Sequence, residues 1–255
     1  MCSEMTAVVS IHRDLHLFLP RSLQKKSLRI PLKQRRSVKD FIESLGIPHV
    51  EIGAIYVNGR PVDFSYILTG GEVIRILPPA LPIRLDQESL LRKRVLTHIR
   101  FAADVHLGKL KNYLRLLGLD TVYRNHLTDD MLAVLAQQEQ RIVLTRDRSL
   151  LKRKAIELGY YIRETQPVLQ AIEVLKRFDL RQAVRPYSLC LRCNARLTRV
   201  DKKHVESDVP AASLKAFHEF WRCQGCQQVY WEGSHFKHLE EKLCTILTEA
   251  GYLRP

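Results

Sequence analysis

No window of the chain approaches the roughly eighteen uninterrupted apolar residues that a bilayer-crossing helix needs. A secretory signal is lacking too, because Glu4, His12, Arg13 and Asp14 stand between Met1 and Leu19 where an apolar stretch would be required. These two absences argue against helical membrane proteins and secreted ones, and the expectation is a soluble, cytoplasmic protein with no membrane association. Cysteine is scarce and unevenly placed. Of six cysteines, Cys2 and Cys244 stand alone, and the other four form two CxxC pairs, Cys190/Cys193 and Cys223/Cys226. That spacing suits a metal in a reducing compartment rather than a disulfide framework. Acidic charge is short as well: 27 Asp and Glu face 41 Lys and Arg, a formal net charge of +14. The positive potential this creates attracts phosphate polymers in a salt-sensitive way. A nucleic acid is therefore the expected partner, with anionic membranes and proteins as rivals.

What is present organises the chain into distinct patterns. At 255 residues and 45% apolar composition, one or two packed domains are expected. Residues 7–12 and 27–32 read as strands, and Ser37 caps a helix whose apolar positions Val38, Phe41, Ile42 and Leu45 follow helical spacing to Gly46. Residues 54–57, the Asn58-Gly59 turn, residues 60–62, and Gly70-Gly71 leading into 73–77 continue with hairpin punctuation. The order ββαββ predicts a β-grasp over residues 1–82 that folds alone. A proline-rich stretch at 78–82 and a charged one at 84–96 read as a linker with a short helix.

From residue 100 the pattern alternates. Strands at 100–103, 121–123, 141–145 and 160–162 are separated by helical stretches at 107–117, 129–139 and 148–158, and a last helix follows at 167–178. Such alternation predicts a parallel sheet with helices on its faces, an α/β arrangement set behind the α+β front. Chemistry in such sheets gathers beyond the carboxyl ends of the strands. Asp104 closes the first strand, Asp147 follows the strand that ends at Thr145, and Asp129 and Asp130 open a helix. Carboxylates grouped there suit a hard divalent cation, Mg²⁺ or Mn²⁺. Asp129 and Asp147 also read well as helix caps, a role compatible with the first, whereas Asp104 is awkwardly placed for capping. Asp120 reads as a surface turn residue. Lys109, Arg115, Arg146 and Arg148 flank the aspartates, the first two on the polar side of the leucine-striped helix, and either contact phosphates or form a solvated basic face.

Twenty-nine residues (194–222) separate the two CxxC pairs, which suits a ribbon of two knuckles with an insertion. Four thiolates make a closed tetrahedral set, so structural zinc is expected, with a redox CxxC or an iron–sulfur cluster as the alternatives. Asn194 and Gly225 sit where knuckle turns need compact or left-handed-tolerant residues. Trp221, Tyr230 and Trp231 either pack round the site or stack on bases. His204, His218, His235 and His238 are surplus to a four-cysteine site.

The segments "FAADVHLGKLKNYLRLLG", "TDDMLAVLAQQEQRIVLTRDRSLL" and "FWRCQGCQQVYWEGSH", in that order, resemble the Mut-seven C-terminal RNase family, a PIN-like nuclease with a built-in zinc ribbon. "VNGRPVDFSYILTGGEVIRILPP" resembles ubiquitin-like sulfur carriers, and above all the variant fused ahead of nuclease domains; the last strand runs into prolines rather than a free Gly-Gly, so sulfur transfer is not expected. The resemblance implies a PIN-like RNase domain over 98–182, a zinc ribbon over 186–240, RNA as substrate, and metal-dependent hydrolysis through Asp104, Asp129 or Asp130, and Asp147. His235, in the family motif, is the histidine to test first. The rival readings are a non-catalytic RNA- or ribosome-binding zinc-ribbon protein, in which the aspartates only cap helices, and, more weakly, a toxin-like nuclease.

Overall fold

The computed structural model describes residues 5–253, with the side chains of Ser234 and His235 outside the described set. Cys2 and the His235 side chain lie outside the described residues. The first strand, β1 (Thr6–Ile11), alternates so that Ala7, Val9 and Ile11 face the core. It pairs antiparallel with β2 (Leu28–Pro31). A short β3 (Arg36–Ser37) leads into α1 (Val38–Ser44), where the Ser37 hydroxyl accepts the Asp40 N–H at 3.1 Å, the expected cap. After it come β4 (Ala54–Val57), β5 (Arg60–Pro61), β6 (Ile67–Leu68) and β7 (Val73–Leu77). The sheet order is β2-β1-β7-β4-β5, with β1 and β7 parallel at its centre and β3 and β6 forming a separate ribbon. Val38, Phe41 and Ile42 of α1 are buried in one core with Val9, Ile55 and Ile74 of the sheet. This is the ubiquitin-like β-grasp that the pattern predicts.

The second half starts with β8 (Phe101–Ala103), α2 (Gly108–Leu116) and β9 (Thr121–Val122), with β8 and β9 parallel. Then follow α3 (Asp129–Glu139), β10 (Ile142–Thr145) and β11 (Gly159–Tyr161), β10 and β11 also parallel, and α4 (Pro167–Arg177). The chain continues through β12 (Leu197–Val200), α5 (Ala211–Ala216), β13 (Phe220–Cys223) and β14 (Val229–Trp231), an antiparallel sheet in the order β12-β13-β14, and ends on α6 (Ser234–Glu249).

Two expected helices do not form. Residues 84–96 fold as turns: the Leu96 N–H donates to the Leu85 carbonyl at 2.8 Å, both side chains are buried, and the Arg92 guanidinium takes the Arg84 and Gln87 carbonyls. Residues 148–158 keep only a 3₁₀ turn at Leu150–Lys152. The Asp147 carboxylate accepts the Ser149 N–H at 2.7 Å and its hydroxyl at 2.8 Å, a local turn that competes with a long helix, and Arg153 then turns extended.

The chain packs as two compact units, one of residues up to Thr97 with Asp129–Tyr161, the other of His98–Thr128 with the residues from Ile162 onward. In the first, the β-grasp does not stand alone. Glu51, fully buried, accepts the Tyr161 N–H at 2.8 Å; the buried His49 places Nε2 2.9 Å from the Ile156 carbonyl oxygen; and Tyr161 packs on the β-grasp core. In the second unit Phe101 lies 6.0 Å from Phe178, ring to ring. The Tyr252 hydroxyl beyond α6 receives the Leu180 N–H just after α4. Val205, Val209 and Phe220 of the long spacer between the CxxC pairs build a small core with Val229 of β14, against which Trp231 packs. That core accounts for the length of the insertion.

Candidate functional site

The four cysteines converge. Cys190 and Cys193 form a knuckle ahead of β12, Cys223 ends β13, and Cys226 lies in the turn to β14; the four sulfur atoms all lie within 4.8 Å of one another. Cys193 and Cys223 Sγ are 3.3 Å apart, and Cys190 and Cys226 Sγ 3.6 Å. A zinc tetrahedron with Zn–S bonds of about 2.3 Å has edges of about 3.8 Å, so the four thiols fit one such ion. Backbone N–H groups already aim at the sulfurs, from Cys193 to Cys190 at 3.5 Å and from Gly225 to Cys223 at 3.3 Å. The Tyr230 hydroxyl lies 3.1 Å from Cys190 Sγ, placed to donate to a thiolate. Burial opposes ionisation of Cys193, but hydrogen bonds from the Ala195 N–H and from the thiols of Cys223, Cys226 and Cys190 outweigh it and lower its pKa to about 7. Burial pushes Cys223 up to about 12. Unevenly held protons in a tight cluster are what a bound cation would replace.

Asn194, one residue past the first pair, adopts φ +72°, the left-handed conformation expected of it. In the second knuckle Gln227 takes that role, at φ +61°. Gly225 is needed for another reason: a Cβ there would lie 2.9 Å from the Ala195 Cβ and 3.3 Å from Cys193 Sγ.

Arg115 departs from the expectation of a basic helix face. It is 3% exposed, with Nε and Nη2 donating to the Thr121 carbonyl at 3.0 and 2.9 Å, and Nη1 to the carbonyls of Leu191 and Arg192 at 2.8 and 2.9 Å. Asn194 completes the tie, its Oδ1 accepting the Thr121 N–H at 3.0 Å and its Nδ2 donating to Asp120 Oδ1 at 2.7 Å. Arg115 is thus committed to fastening α2 and β9 to the first knuckle, and Asp120 is a fastening residue rather than a plain surface turn. No periodicity in the sequence signals either role.

In the second unit Asp104 directly follows β8, 6% exposed, with His106 Nδ1 3.3 Å from its Oδ2. The Tyr123 hydroxyl donates to the Val105 carbonyl at 2.9 Å and holds the loop after it. Lys109 is exposed on α2, and Lys111 lies over the Tyr123 ring at 5.2 Å.

In the first unit Asp129 and Asp130 open α3, and Arg153 pairs with both, reaching Asp129 at 3.8 Å and hydrogen-bonding to Asp130. Asp147, two residues beyond β10, is fixed by the Ser149 turn; burial works against its charge, but the bonds from Ser149 and the Arg153 cation bring its pKa below the usual carboxylate value. Arg146 is half-buried beside it. Arg148 is exposed, with its guanidinium over the rings of Phe18 at 5.6 Å and Tyr161 at 5.5 Å. The pairing of Arg153 with the adjacent aspartates was not anticipated from sequence. His204 and His218 are exposed, and His238 sits on α6 near Glu241 at 3.9 Å, so none of them lies among the four sulfurs.

No helix among the described residues is long and apolar enough to cross a membrane. Comparison with curated proteins finds no match. Against protein families, the model described as Mut7-C ubiquitin matches residues 4–84, and the one described as Mut7-C RNAse domain matches residues 99–243, more than half of the sequence. The chain belongs to the Mut7-C RNAse domain family and carries the Mut7-C ubiquitin domain in front.

Proposed function

We propose that this chain hydrolyses RNA phosphodiester bonds with a divalent cation, Mg²⁺ or Mn²⁺, held by Asp104, Asp147 and one of Asp129 and Asp130, and that zinc at Cys190, Cys193, Cys223 and Cys226 is structural. The observation that carries the reading is Asp104: a carboxylate at the C-terminal end of a parallel strand, 6% exposed, in a chain of an RNase family. A hard cation suits this donor set, and when bound it supplies a deprotonated water and neutralises charge on the phosphodiester in transit. The chain's own residues prepare for it. Ser149 fixes Asp147 through one carboxylate oxygen, and His106 orients Asp104. Lys109, Arg146 and Arg148 supply positive charge for the RNA backbone. Arg115 has no part in that binding. A zinc ion held by all four sulfurs would have no coordination position left for substrate, which supports a structural rather than a catalytic role for it. The cytoplasm is the compartment that keeps such thiols reduced.

The binding-module reading has one observation in its favour, the pairing of Arg153 with Asp129 and Asp130, which gives both carboxylates a counter-charge without a metal ion. Incubation of a mixed RNA panel with and without Mn²⁺ separates the two. Mn²⁺-dependent cleavage supports the enzyme; binding with no cleavage under either condition contradicts it.

A further inference from the structure

The ubiquitin-like domain has no role in the proposed chemistry, yet its contacts within the first unit lead directly to the loop that carries Asp147. Phe18, 3% exposed, belongs to the β-grasp core. Its ring meets Tyr161 of β11 edge to face, with centroids 5.5 Å apart at 77°. Over these two rings lies the guanidinium of Arg148, the residue after Asp147, at 5.6 and 5.5 Å from their centroids. Both separations fall inside the range where a ring face attracts a cation. Arg148 nonetheless remains exposed, so its donors are not consumed by this packing.

More of the β-grasp is committed to the same segment. Glu43 Oε1 lies 2.6 Å from His49 Nδ1, and the other ring nitrogen of His49 reaches the Ile156 carbonyl. Lys152 Nζ donates to the Glu43 carbonyl at 3.1 Å, and Glu51 holds the Tyr161 N–H. Residues 147–161 form one 3₁₀ turn and no helix of their own, so these bonds supply the rigidity that a helix would otherwise provide.

We propose that the ubiquitin-like domain is a positioning element of the nuclease: Phe18, with Tyr161, holds the Arg148 guanidinium in one orientation beside Asp147, where it contacts a phosphate of the RNA. A planar guanidinium held over ring faces has lost rotamer freedom before ligand arrives, so less is lost on binding. Phe18 acts through Arg148 and does not itself touch substrate. This inference rests on the proposed RNA-binding role of Arg148.

The test is a double-mutant cycle in the full chain, read as affinity for a fluorescein-labelled single-stranded RNA oligonucleotide without added Mg²⁺ or Mn²⁺, and as KM and kcat with Mn²⁺. Folding is checked by thermal melting. Phe18→Leu keeps apolar volume and removes the ring face; it should weaken RNA binding about two- to fivefold, as the loss of a cation–π contact would, and raise KM with kcat little changed. Arg148→Ala should weaken binding at least as much, and adding Phe18→Leu to it should cost nothing further. Arg148→Lys, which keeps the charge but not the plane, should reproduce the Phe18→Leu loss and serves if that variant does not fold. Additive effects of Phe18→Leu and Arg148→Ala, or parental affinity for Arg148→Lys, would overturn the proposal. The binding arm needs no cleavage, so failure of the hydrolysis reading would appear separately, as a parent inert with Mn²⁺ whose binding cycle is still coupled.

Discussion

Replacing Arg115 by Met keeps the apolar stem of a buried side chain and removes the guanidinium that joins α2 and β9 to the first knuckle. Three carbonyls lose their donor. That of Thr121, which accepts two of the four bonds, is buried; those of Leu191 and Arg192 are nearer solvent and can recover water. An unsatisfied buried acceptor costs about 1–3 kcal/mol, so Thr121 near the upper end and the other two together at a fraction of that give a loss of about 3 kcal/mol. For a chain of this size that corresponds to a fall in Tm of roughly 6–12 °C. An electrostatic effect adds to it. The thiolates of Cys190 and Cys193 favour the Arg115 cation against the burial that opposes it, and the same attraction stabilises a metal site carrying excess negative charge. Arg115→Met should therefore also surrender zinc faster to a chromophoric chelator, and Arg115→Lys, which restores charge without the fork, should recover only part of either loss. Thermal melting and chelator kinetics on the purified protein measure both. A Tm within about 1 °C of the parent, with unchanged zinc release, would refute the argument that Arg115 is a fastening residue.

Cys190→Ser should leave the protein without stoichiometric zinc by elemental analysis and with the second unit unfolded, since structural zinc in small sites contributes on the order of 10 kcal/mol; retained zinc and an unchanged melt would contradict the four-sulfur assignment. Gly118→Ala should be severely destabilising, because φ there is +78° and a Cβ would lie 1.9 Å from the Arg185 carbonyl oxygen; a variant with the parental Tm would refute this close backbone approach. The Asp147 pKa is lowered in the folded state, so its charge stabilises the fold above the ordinary carboxylate pKa, near 4, and that contribution fades as pH falls through the lower folded value. Asp147→Asn should accordingly melt below the parent at neutral pH, and the gap should close as acid protonates the Asp147 carboxylate in the folded protein; a gap that stays constant from neutral pH into strong acid would count against the shift.

The chemistry-bearing local motifs were legible in the sequence, and the contacts between distant segments were not. Ser37 announces its helix because a cap bonds three residues ahead, and the two CxxC pairs announce a cluster of four converging sulfurs because each pair fixes its own knuckle. The β-grasp follows from alternation and turn chemistry alone. Arg115 was misplaced because a helical stripe assigns faces by neighbours on its own helix, whereas Leu114, Arg115 and Leu116 are all buried, and the Arg115 guanidinium is bound by a knuckle more than seventy residues away. The helix expected over 148–158 failed to a two-residue side-chain turn at Asp147, which propensity summed over a window does not register. Docking of residues 150–161 on the β-grasp depends on His49 and Glu51, polar residues that carry no periodic signal.

The central claim is that a carboxylate-bound cation performs RNA hydrolysis, and the direct measurement is the cleavage rate of Asp104→Asn beside the parent at saturating Mn²⁺, with folding and zinc content confirmed. Asn keeps the size of the side chain and its place at the end of β8 while removing the charge that would hold the ion. The account predicts a rate lower by a factor of roughly 10² or more, equivalent to about 3 kcal/mol of transition-state stabilisation, with RNA affinity close to that of the parent because the positive surface is untouched. Cleavage by the variant at the parental rate would contradict it.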